Sequence, residues 1–359
     1  MKRLEKFREP IYMEECLPLP HTPKRFLNYL LANLECKMGR LRPISRPYYA
    51  FIDPSTVCNL KCPLCPTGTG APGRSRKCLM KLGDFKKAVD ALSECLYIVY
   101  LYNWGEPFLN PEIFEMIEHT KSRRLLAFLS SNLNVRIENF GEKVVKSGLD
   151  WLYASIDGTD QKTYEGYRRG GSYSLAMSNL ADVIEAKKRL GSSTPFIVAG
   201  FLPMRHNEAV VGRFKKKMLE LGADAVLIAN VTLSGFEAEK QYLPLDERLN
   251  GYLPDGKRKT PFPGCAMPWT TAFVFPDLQV SGCCYAPYYD EKHDLGNLRE
   301  ARFSELWNSP RHVEMRRVIR DRISDSKNPC AQCVEGRHPW GAVIEWATTS
   351  RDKSIGREG

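Results

Sequence analysis

The chain has 359 residues, of which 43% are hydrophobic and 26% are charged, and its formal net charge at pH 7 is +10. This composition is that of an ordinary globular protein, long enough for one large domain and a smaller one with a sizeable buried core. It contains no internal repeat and no long low-complexity tract, which excludes fibrous and repeat architectures.

The excess positive charge fits three classes of partner: nucleic acid, an anionic membrane or an acidic substrate. The basic residues are spread over many segments, mostly where predicted helices expose them to solvent. No RNA- or DNA-binding fingerprint accompanies them. We therefore expect a solvated basic surface and no nucleic-acid partner.

The N-terminus is polar and basic and lacks the apolar core of a signal peptide. No apolar run approaches the length of a membrane span, so we expect a cytoplasmic protein. Because disulfides are rare in a reducing cytosol, the twelve cysteines, several of them clustered, indicate metal binding.

The first predicted element lies between Pro23 and Leu41, where apolar residues recur at roughly helical spacing among lysines and arginines. A membrane-surface helix and a helix packed on the rest of the protein both fit this pattern. We favour the packed helix and assign residues 1–45 to an N-terminal helical extension.

Between residues 48 and 230, short β-rich runs alternate with longer amphipathic stretches. The predicted strands are Tyr48–Ile52, Leu96–Tyr102, Leu125–Ser130, Trp151–Ile156, Phe196–Phe201 and Ala225–Ala229. The predicted helices are Phe85–Ser93, Pro111–Lys121, Val135–Ser147, Leu175–Leu190 and Glu208–Leu221. This alternation predicts parallel βα units, in an open doubly wound sheet or a partial barrel. In both architectures the chemistry gathers at the carboxyl ends of the strands.

Three cysteines with the spacing C-x-x-x-C-x-x-C follow the first predicted strand: Cys58, Cys62 and Cys65. Three thiolates on one short loop can hold three irons of a [4Fe–4S] cluster and leave the fourth iron open. Structural zinc is the alternative, but zinc sites of this kind are closed by four ligands. Cys78, the one nearby candidate for a fourth ligand, lies beyond a Gly-, Pro- and Arg-rich segment. We therefore favour the cluster.

A Pro-, Gly- and Lys-rich stretch from Tyr252 to Gly264 predicts a linker or domain boundary. Beyond it the alternation of strands and helices stops, and cysteines return at Cys265, Cys283, Cys284, Cys330 and Cys333. A lone C-x-x-C pair does not identify a function, because zinc and redox sites share it. The tail after Trp346 is polar, and we expect it to be poorly ordered.

The cysteine loop CNLKCPLC, residues 58–65, resembles the CNLxCxxC loop of the radical S-adenosylmethionine (SAM) superfamily. Three further segments at successive strand ends resemble that family. NWGEP at 103–107 is similar to its GGEP segment, SSN at 130–132 to its T-N pair, and SIDG at 155–158 to its S-[LI]-D-G. Asn207 follows the fifth strand as in many relatives.

The resemblance implies a [4Fe–4S] cluster on Cys58, Cys62 and Cys65, with the SAM amino and carboxylate groups on its open iron. One electron passed to the sulfonium then breaks a carbon–sulfur bond, and the resulting 5′-deoxyadenosyl radical abstracts hydrogen from a substrate. Such chemistry needs an external reductant such as flavodoxin or ferredoxin.

The same resemblance implies a set of SAM contacts: Gly105, Glu106, Ser130, Asn132, Ser155 and Arg168. Gly105 and Glu106 belong to the segment that contacts the SAM amino group in relatives, although Trp104 here replaces its first glycine. Arg169 is an alternative to Arg168 for the SAM carboxylate. Strand capping is the alternative role for Ser130 and Asn132, and a simple turn is the alternative for residues 157–158.

The C-terminal cysteines, with GNL at 296–298 and LWNSP at 306–310, resemble the SPASM/twitch extension of this superfamily. A full SPASM domain carries more cysteines and two auxiliary clusters. The five cysteines here indicate the twitch form, with one auxiliary [4Fe–4S] cluster on Cys265, Cys283, Cys330 and Cys333. Cys284 is an alternative to Cys283, and Leu278 stands where relatives usually have a turn glycine. The spacing is close to that of a dehydrogenase that oxidises an amino-inositol.

We predict a partial (β/α)6 TIM-like barrel over residues 46–245 and a small C-terminal α+β auxiliary-cluster domain over residues 255–340, with a polar tail at 341–359. The resemblance implies SAM-dependent radical catalysis begun by hydrogen abstraction. We favour oxidation of an alcohol carbon on a sugar, cyclitol or similar small molecule, with the auxiliary cluster accepting an electron.

Other functions stay open. Radical modification of a peptide side chain would need a peptide-docking element, and the short N-terminal extension contains no evident one. A lipid-linked substrate at the membrane surface would fit the positive charge and the apolar stripe from Phe26 to Leu41. A purely electron-transferring iron–sulfur protein would need no open iron. The sequence identifies no substrate and no general base, since His206, His293, His312 and His338 are predicted to be structural or exposed.

Overall fold

The computed structural model describes residues 22–70, 78–233, 235–260, 262, 264–283, 293–325, 327–336 and 343–348. In these ranges ten strands form one sheet in the order β10-β6-β5-β4-β3-β2-β1-β7-β8-β9. The strands are β1 Tyr49–Ile52, β2 Ile98–Tyr100, β3 Leu126–Ser131, β4 Trp151–Ser155, β5 Phe196–Phe201, β6 Ala225–Ala229, β7 Thr271–Val274, β8 Gln279–Ser281, β9 Asp294–Asn297 and β10 Val343–Thr348.

Helices connect and cover these strands. They are α1 Pro23–Lys37, α2 Pro66–Thr69, α3 Leu82–Leu92, α4 Ile113–Ser122, α5 Phe140–Lys146, α6 Gln161–Glu165, α7 Tyr173–Arg189, α8 Val211–Leu221, α9 Phe236–Glu239, α10 Met267–Thr270, α11 Phe303–Trp307, α12 Pro310–Arg320 and α13 Cys330–Val334. Short 3₁₀ helices cover Pro107–Leu109, Glu208–Val210 and Lys240–Tyr242.

Strands β1 to β6 pair in parallel in chain order, with helices between them. This arrangement confirms the predicted partial (β/α)6 barrel, and all six predicted strands form. The predicted helix from Val135 to Ser147 begins only at Phe140. Residues 132–134 form a hydrogen-bonded turn in which the Asn134 N–H binds the Asn132 side chain, and Asn139 has a positive φ of 52°.

The two faces of the sheet bury different side chains. In β1, Ala50 and Ile52 pack against the outer helices, as the alternation of side chains along a strand requires. Phe51 faces inward, where its ring stacks on Tyr100 at 4.4 Å and on Phe273 at 5.1 Å between ring centroids. The barrel interior is therefore filled by aromatic side chains. Polar side chains gather above them, at the carboxyl ends of the strands.

Helix α1 closes the amino end of the barrel. The Arg25 guanidinium donates to the carbonyls of Ser93, Arg123 and Arg124, which lie at the C-terminal ends of α3 and α4. The helix is packed on the barrel, as predicted, but through Arg25, Ala32 and Glu35 rather than through its leucines.

The C-terminal segment continues the barrel sheet. Strand β7 pairs in parallel with β1, and β8 and β9 follow in antiparallel order. Arg316 on α12 donates to the carbonyls of Pro268 in α10 and of Leu41 between α1 and β1, so it ties this part to the segment that precedes the barrel. In the stretch predicted as a linker, Arg258 is buried, stacks on Tyr252 and donates to the Val231 carbonyl, so this stretch is anchored to the end of β6. Among the described residues no helix has the length and apolarity to cross a bilayer.

Candidate active site

The first cysteine loop follows β1 at the carboxyl end of the barrel. Cys62 is buried, while Cys58 and Cys65 are half-buried. Burial raises the pKa of the Cys58 thiol to about 11, and the neighbouring thiols Cys62 and Cys65 push it in the same direction. The three sulfurs are therefore close enough to interact. Burial and the neighbouring thiols disfavour the thiolate form, and a bound metal group of positive charge would stabilise it.

Two nitrogen donors lie near the Cys58 sulfur. The Leu60 N–H donates to Cys58 Sγ at 3.4 Å, and Asn132 Nδ2 lies 3.7 Å from the same atom. Asn132 Nδ2 also donates to Asn59 Oδ1 at 3.1 Å, which joins the cysteine loop to the end of β3. N–H groups around sulfur tune an iron–sulfur cluster, so this donor set fits one.

Two glycines allow the loop to pack closely. A Cβ on Gly68 would lie 2.5 Å from the Cys62 carbonyl oxygen, and a Cβ on Gly105 would overlap the carbonyl group of Ser55. Gly105 is the glycine of the NWGEP segment, and the next N–H, that of Glu106, donates to the Val57 carbonyl at 2.8 Å. The segment is thus fixed against the start of the cysteine loop, although Trp104 replaces a glycine.

The Glu106 carboxylate is buried and holds three protein donors. Its Oε1 accepts from Ser131 Oγ at 2.7 Å and from the Phe108 N–H at 3.1 Å, and its Oε2 accepts from the Asn132 N–H at 2.8 Å. Burial raises the pKa of Glu106 to about 7, although these donors oppose the rise. The carboxylate therefore joins the NWGEP segment to the end of β3 from within the protein.

Ser130 and Ser131 lie on opposite faces of β3. Ser131 is buried and contacts Glu106, whereas the half-buried Ser130 shares the inner face with Phe128. The sequence singled out Ser130 but gave no role to Ser131. The choice between adjacent serines depends on the strand register, which composition does not reveal.

Beyond the end of β4, the buried Asp157 forms an ion pair with the partly buried Arg168. Asp157 Oδ2 accepts from Arg168 Nε at 2.6 Å, and Arg168 Nη1 lies 3.9 Å from Cys62 Sγ. Burial opposes the charge on Arg168, but Asp157 and Cys62 outweigh it and hold its pKa well above the usual value. Arg169 is instead exposed, with Nη2 3.4 Å from the Tyr242 hydroxyl. Arg168 rather than Arg169 therefore faces the cysteine loop.

The remaining predicted residues take different positions. Ser155 is buried at the end of β4, level with Gly200 of β5. Asn207 is fully buried and donates to the carbonyls of Asp157 and Leu202, so it braces the Asp157 turn. This turn needs support because Asp157 has a positive φ of 56°.

Asp53 is a buried carboxylate that the sequence analysis missed. It directly follows β1, and its oxygens accept from the N–H groups of Ser55 and Trp104, each at 3.4 Å. Burial raises its pKa to about 7. A charged residue between an apolar strand and a cysteine triplet was the available signal.

A second group of cysteines converges in the C-terminal segment. Cys265 precedes α10, Cys283 follows β8, and Cys330 and Cys333 lie one turn apart on α13. Burial raises the pKa of Cys265 well above the usual value, and the charges of Cys330, Cys333 and Cys283 add to this. Cys265 therefore lies near the other three thiols. Cys284 lies outside the described residues.

The β7–β8 turn before Cys283 keeps the conformation that a glycine would favour. Leu278 has a positive φ of 66° and is fully buried. Its N–H donates to the Phe275 carbonyl, so the turn forms despite the missing glycine. The burial of a large apolar side chain offsets the backbone strain.

Within the described ranges, no three His, Cys, Asp or Glu side chains surround a single point closely enough for one metal ion. A cavity of about 860 Å³ lies between α4 and α5, lined among others by Glu115, Arg136 and Lys143. It opens on the helical layer, whereas the cysteine loop, Glu106 and Arg168 meet at the strand ends. The chemistry of the side chains therefore places the candidate site at the strand ends.

Residues 52–204 match the radical SAM superfamily, and residues 265–334 match SPASM, an iron–sulfur cluster-binding domain. The chain belongs to the radical SAM superfamily. This radical SAM enzyme uses SAM and a SAM-binding [4Fe–4S] cluster, and its SPASM domain provides for auxiliary iron–sulfur binding. The two cysteine groups fall one in each matched region.

Two relatives of the enzyme align over most of their lengths. A tungsten-containing aldehyde ferredoxin oxidoreductase cofactor-modifying protein from Pyrococcus furiosus is 21% identical over 326 residues, which cover 79% of this chain and 87% of the relative. An AdoMet-dependent heme synthase from Methanosarcina barkeri is 21% identical over 320 residues, which cover 77% and 85%. The solved structure of native anSMEcpe with bound AdoMet has a TM-score of 0.56 at 15% identity and covers 81% of this chain and 89% of that chain. At this identity the structural likeness concerns the fold.

Proposed function

We propose that this radical SAM enzyme dehydrogenates an alcohol carbon of a small sugar- or cyclitol-like molecule with the help of one auxiliary [4Fe–4S] cluster. The observation that carries the proposal is the convergence of four thiols, Cys265, Cys283, Cys330 and Cys333. Four protein ligands close a cluster, and a closed cluster exchanges electrons instead of binding substrate.

The proposed ligands of the SAM-binding cluster are Cys58, Cys62 and Cys65. When bound, this cluster and SAM supply a 5′-deoxyadenosyl radical for hydrogen abstraction, and the auxiliary cluster supplies an electron acceptor. An external one-electron donor such as flavodoxin or ferredoxin provides the reducing electron.

The residues of the chain orient SAM. We assign the SAM carboxylate to the Arg168 guanidinium, which Asp157 holds 3.9 Å from Cys62 Sγ, and to the Ser155 hydroxyl. We assign the SAM ammonium to the backbone around Gly105. The three hydrogen bonds that the adjacent Glu106 carboxylate accepts hold this backbone in place. Ser130 on the inner face of β3 and Asn132 at the cysteine loop complete the proposed contacts.

The electron balance explains why a second cluster is useful. Conversion of an alcohol to a carbonyl removes two electrons and two protons. Hydrogen abstraction takes one electron and one proton together from carbon. The remaining electron needs an acceptor, and the hydroxyl proton leaves to a base or to water.

The names of the two relatives that align over most of this chain favour a small-molecule substrate over a peptide. One is called a cofactor-modifying protein and the other a heme synthase. A lipid-linked substrate is disfavoured by the position of α1, which lies at the amino end of the barrel, opposite the cysteine loop.

The test uses the anaerobically reconstituted enzyme, SAM, a chemical reductant and a panel of cyclitols, amino sugars and sugar nucleotides deuterated at carbon. We expect one compound to transfer deuterium into 5′-deoxyadenosine and to yield a carbonyl product. The Cys265→Ser/Cys333→Ser variant should keep the deuterium transfer and lose the oxidised product, while the Cys36→Ser control should keep both.

The proposal is wrong if the double variant forms the carbonyl product at the wild-type rate. It is also wrong if none of the panel transfers deuterium while a peptide does. The second outcome would assign the enzyme to peptide modification.

A further inference from the structure

Helix α1 exposes a stripe of large apolar side chains. Leu27 is 65% exposed, Leu30 48%, Leu34 54% and Met38, the C-cap residue, 67%. At 100° per residue these four side chains fall within about 80° of arc. Scattered exposed leucines are ordinary on proteins, but a continuous apolar stripe marks an interaction surface.

Helix α1 departs from an ordinary amphipathic helix, because three of its leucines face outward while Ala32 and Tyr29 pack on the barrel. An ordinary one turns its apolar face to the core and its polar face to water. Here the buried residues include Arg25 and Glu35, and both are held by hydrogen bonds to the barrel or to the segment after the helix. These bonds fix the leucine face toward the outside.

The exposed residues of α1 and its C-cap are either apolar or cationic. They are Pro23, Lys24, Leu27, Leu30, Leu34, Lys37 and Met38. On the helical wheel Lys24 and Lys37 flank the two sides of the leucine stripe, and no residue of this set is acidic. Lys24 pairs with Glu94, itself highly exposed, at 2.9 Å.

The composition of this exposed set distinguishes a protein partner from a lipid bilayer. Protein interfaces are enriched in aromatic residues, methionine and arginine and depleted of lysine, whereas the exposed set contains two lysines, one methionine and no aromatic residue or arginine. Helices that lie on bilayers combine an apolar face with flanking lysines that contact anionic headgroups. The chain as a whole carries a net charge of +10, which adds attraction to an anionic surface.

We propose that the leucine stripe of α1 docks the enzyme on an anionic lipid bilayer, with Leu27, Leu30, Leu34 and Met38 below the headgroups and Lys24 and Lys37 among them. Because α1 closes the amino end of the barrel, the strand ends with the cysteine loop then face away from the bilayer. The inference concerns attachment and does not depend on the substrate proposed above.

The test is vesicle flotation of the full-length, cluster-loaded protein at low and high salt. Vesicles of phosphatidylcholine alone are compared with vesicles that also contain phosphatidylglycerol. We expect the wild type to float with the anionic vesicles at low salt and much less with the neutral ones. Leu30→Gln/Leu34→Gln should reduce binding at least tenfold, and Lys24→Gln/Lys37→Gln should weaken it and flatten the salt dependence.

The matched control is Leu190→Gln/Leu253→Gln, which changes two leucines that are 38% and 41% exposed elsewhere. It should bind as the wild type does. Iron content and melting temperature of all variants should equal those of the wild type, since every altered side chain is exposed.

The proposal fails if the wild type does not float with anionic vesicles at low salt, or if Leu30→Gln/Leu34→Gln floats equally well. It also fails if the stripe variants abolish self-association in sedimentation while no form binds vesicles. In that case a second copy of the chain covers the stripe.

Discussion

Arg168 connects the end of β4 to the cysteine loop, because its Nη1 lies 3.9 Å from Cys62 Sγ. The same guanidinium donates from Nε to Asp157 at 2.6 Å; Asp157 is buried, and the Arg168 side chain is 15% exposed. The charge is therefore fixed in position before any ligand binds. A fixed cation beside the cysteine loop is suited to a carboxylate such as that of SAM.

Arg168→Gln should leave the buried Asp157 carboxylate without its ion-pair partner, with the Leu202 N–H as its remaining donor at 2.7 Å. Removing one member of such a pair costs about 3–5 kcal/mol of stability. We also expect SAM binding to weaken at least tenfold, measured by equilibrium dialysis with reconstituted protein. Arg169→Gln is the matched control, and unchanged SAM affinity in Arg168→Gln would rule out the assignment of Arg168 to the carboxylate.

Gly105→Ala should disrupt the contact between the NWGEP segment and the cysteine loop. The new methyl group overlaps the Ser55 carbonyl, which is backbone and has little room to move. Overpacking of this kind costs about 1–3 kcal/mol, and we expect reduced iron content as well. Gly83→Ala in α3 meets no atom within 4 Å and should stabilise by up to about 1 kcal/mol. Melting temperatures that fall equally in both variants would contradict this account.

Ser131→Ala and Ser130→Ala should differ although the serines are adjacent. Ser131 Oγ donates to the buried Glu106 at 2.7 Å and accepts from the Leu133 N–H. Its loss leaves the Leu133 N–H without its acceptor and removes one of the three donors to Glu106, at a cost of about 1–3 kcal/mol. We expect Ser130→Ala to keep wild-type stability in thermal unfolding and to affect SAM binding alone. Equal destabilisation by both changes would show that the register of β3 has been misassigned.

Asp53→Asn should change the pH dependence of stability. The pKa of Asp53 is raised to about 7 by burial, whereas in the unfolded chain it is about 4. The folded protein therefore holds this proton more tightly, and a rise in pH from about 4 to about 7 favours unfolding by up to about 1.4 kcal/mol per pH unit.

Asparagine removes this titration and keeps an oxygen that can accept from the Ser55 or Trp104 N–H. We expect Asp53→Asn to be more stable than the wild type at pH 8, with a smaller difference at pH 5, as read from melting temperatures. A difference that does not vary with pH would mean that Asp53 does not titrate in this range.

Local patterns predicted the barrel strands and the two domains that contain the cysteine groups, because the alternation of β-rich and amphipathic runs and the cysteine spacing are properties of short segments. They could not distinguish Ser131 from Ser130, since a single step in register reverses the face. The pairing of Asp157 with Arg168 was missed because it joins a strand end to a residue beyond α6.

Helix α1 shows a different limit. The helical spacing of its leucines indicates which face is apolar, but not which face meets the barrel. Arg25 fixes the orientation of the helix, because it donates hydrogen bonds to three backbone carbonyls at the ends of α3 and α4. These carbonyls come close to Arg25 only in the folded protein, so the sequence pattern does not reveal the contact.

The central claim is that two separate thiol sites bind two clusters, and iron and sulfide analysis with Mössbauer spectra tests it most directly. We predict about eight irons per chain in the reconstituted wild type, as two [4Fe–4S] clusters require. Cys58→Ala/Cys62→Ala/Cys65→Ala should retain about four with the second cluster intact, and Cys265→Ala/Cys283→Ala/Cys330→Ala/Cys333→Ala should retain about four with the first intact. About four irons in the wild type, falling to none in the first variant, would contradict the claim and leave the proposed oxidation without its electron acceptor.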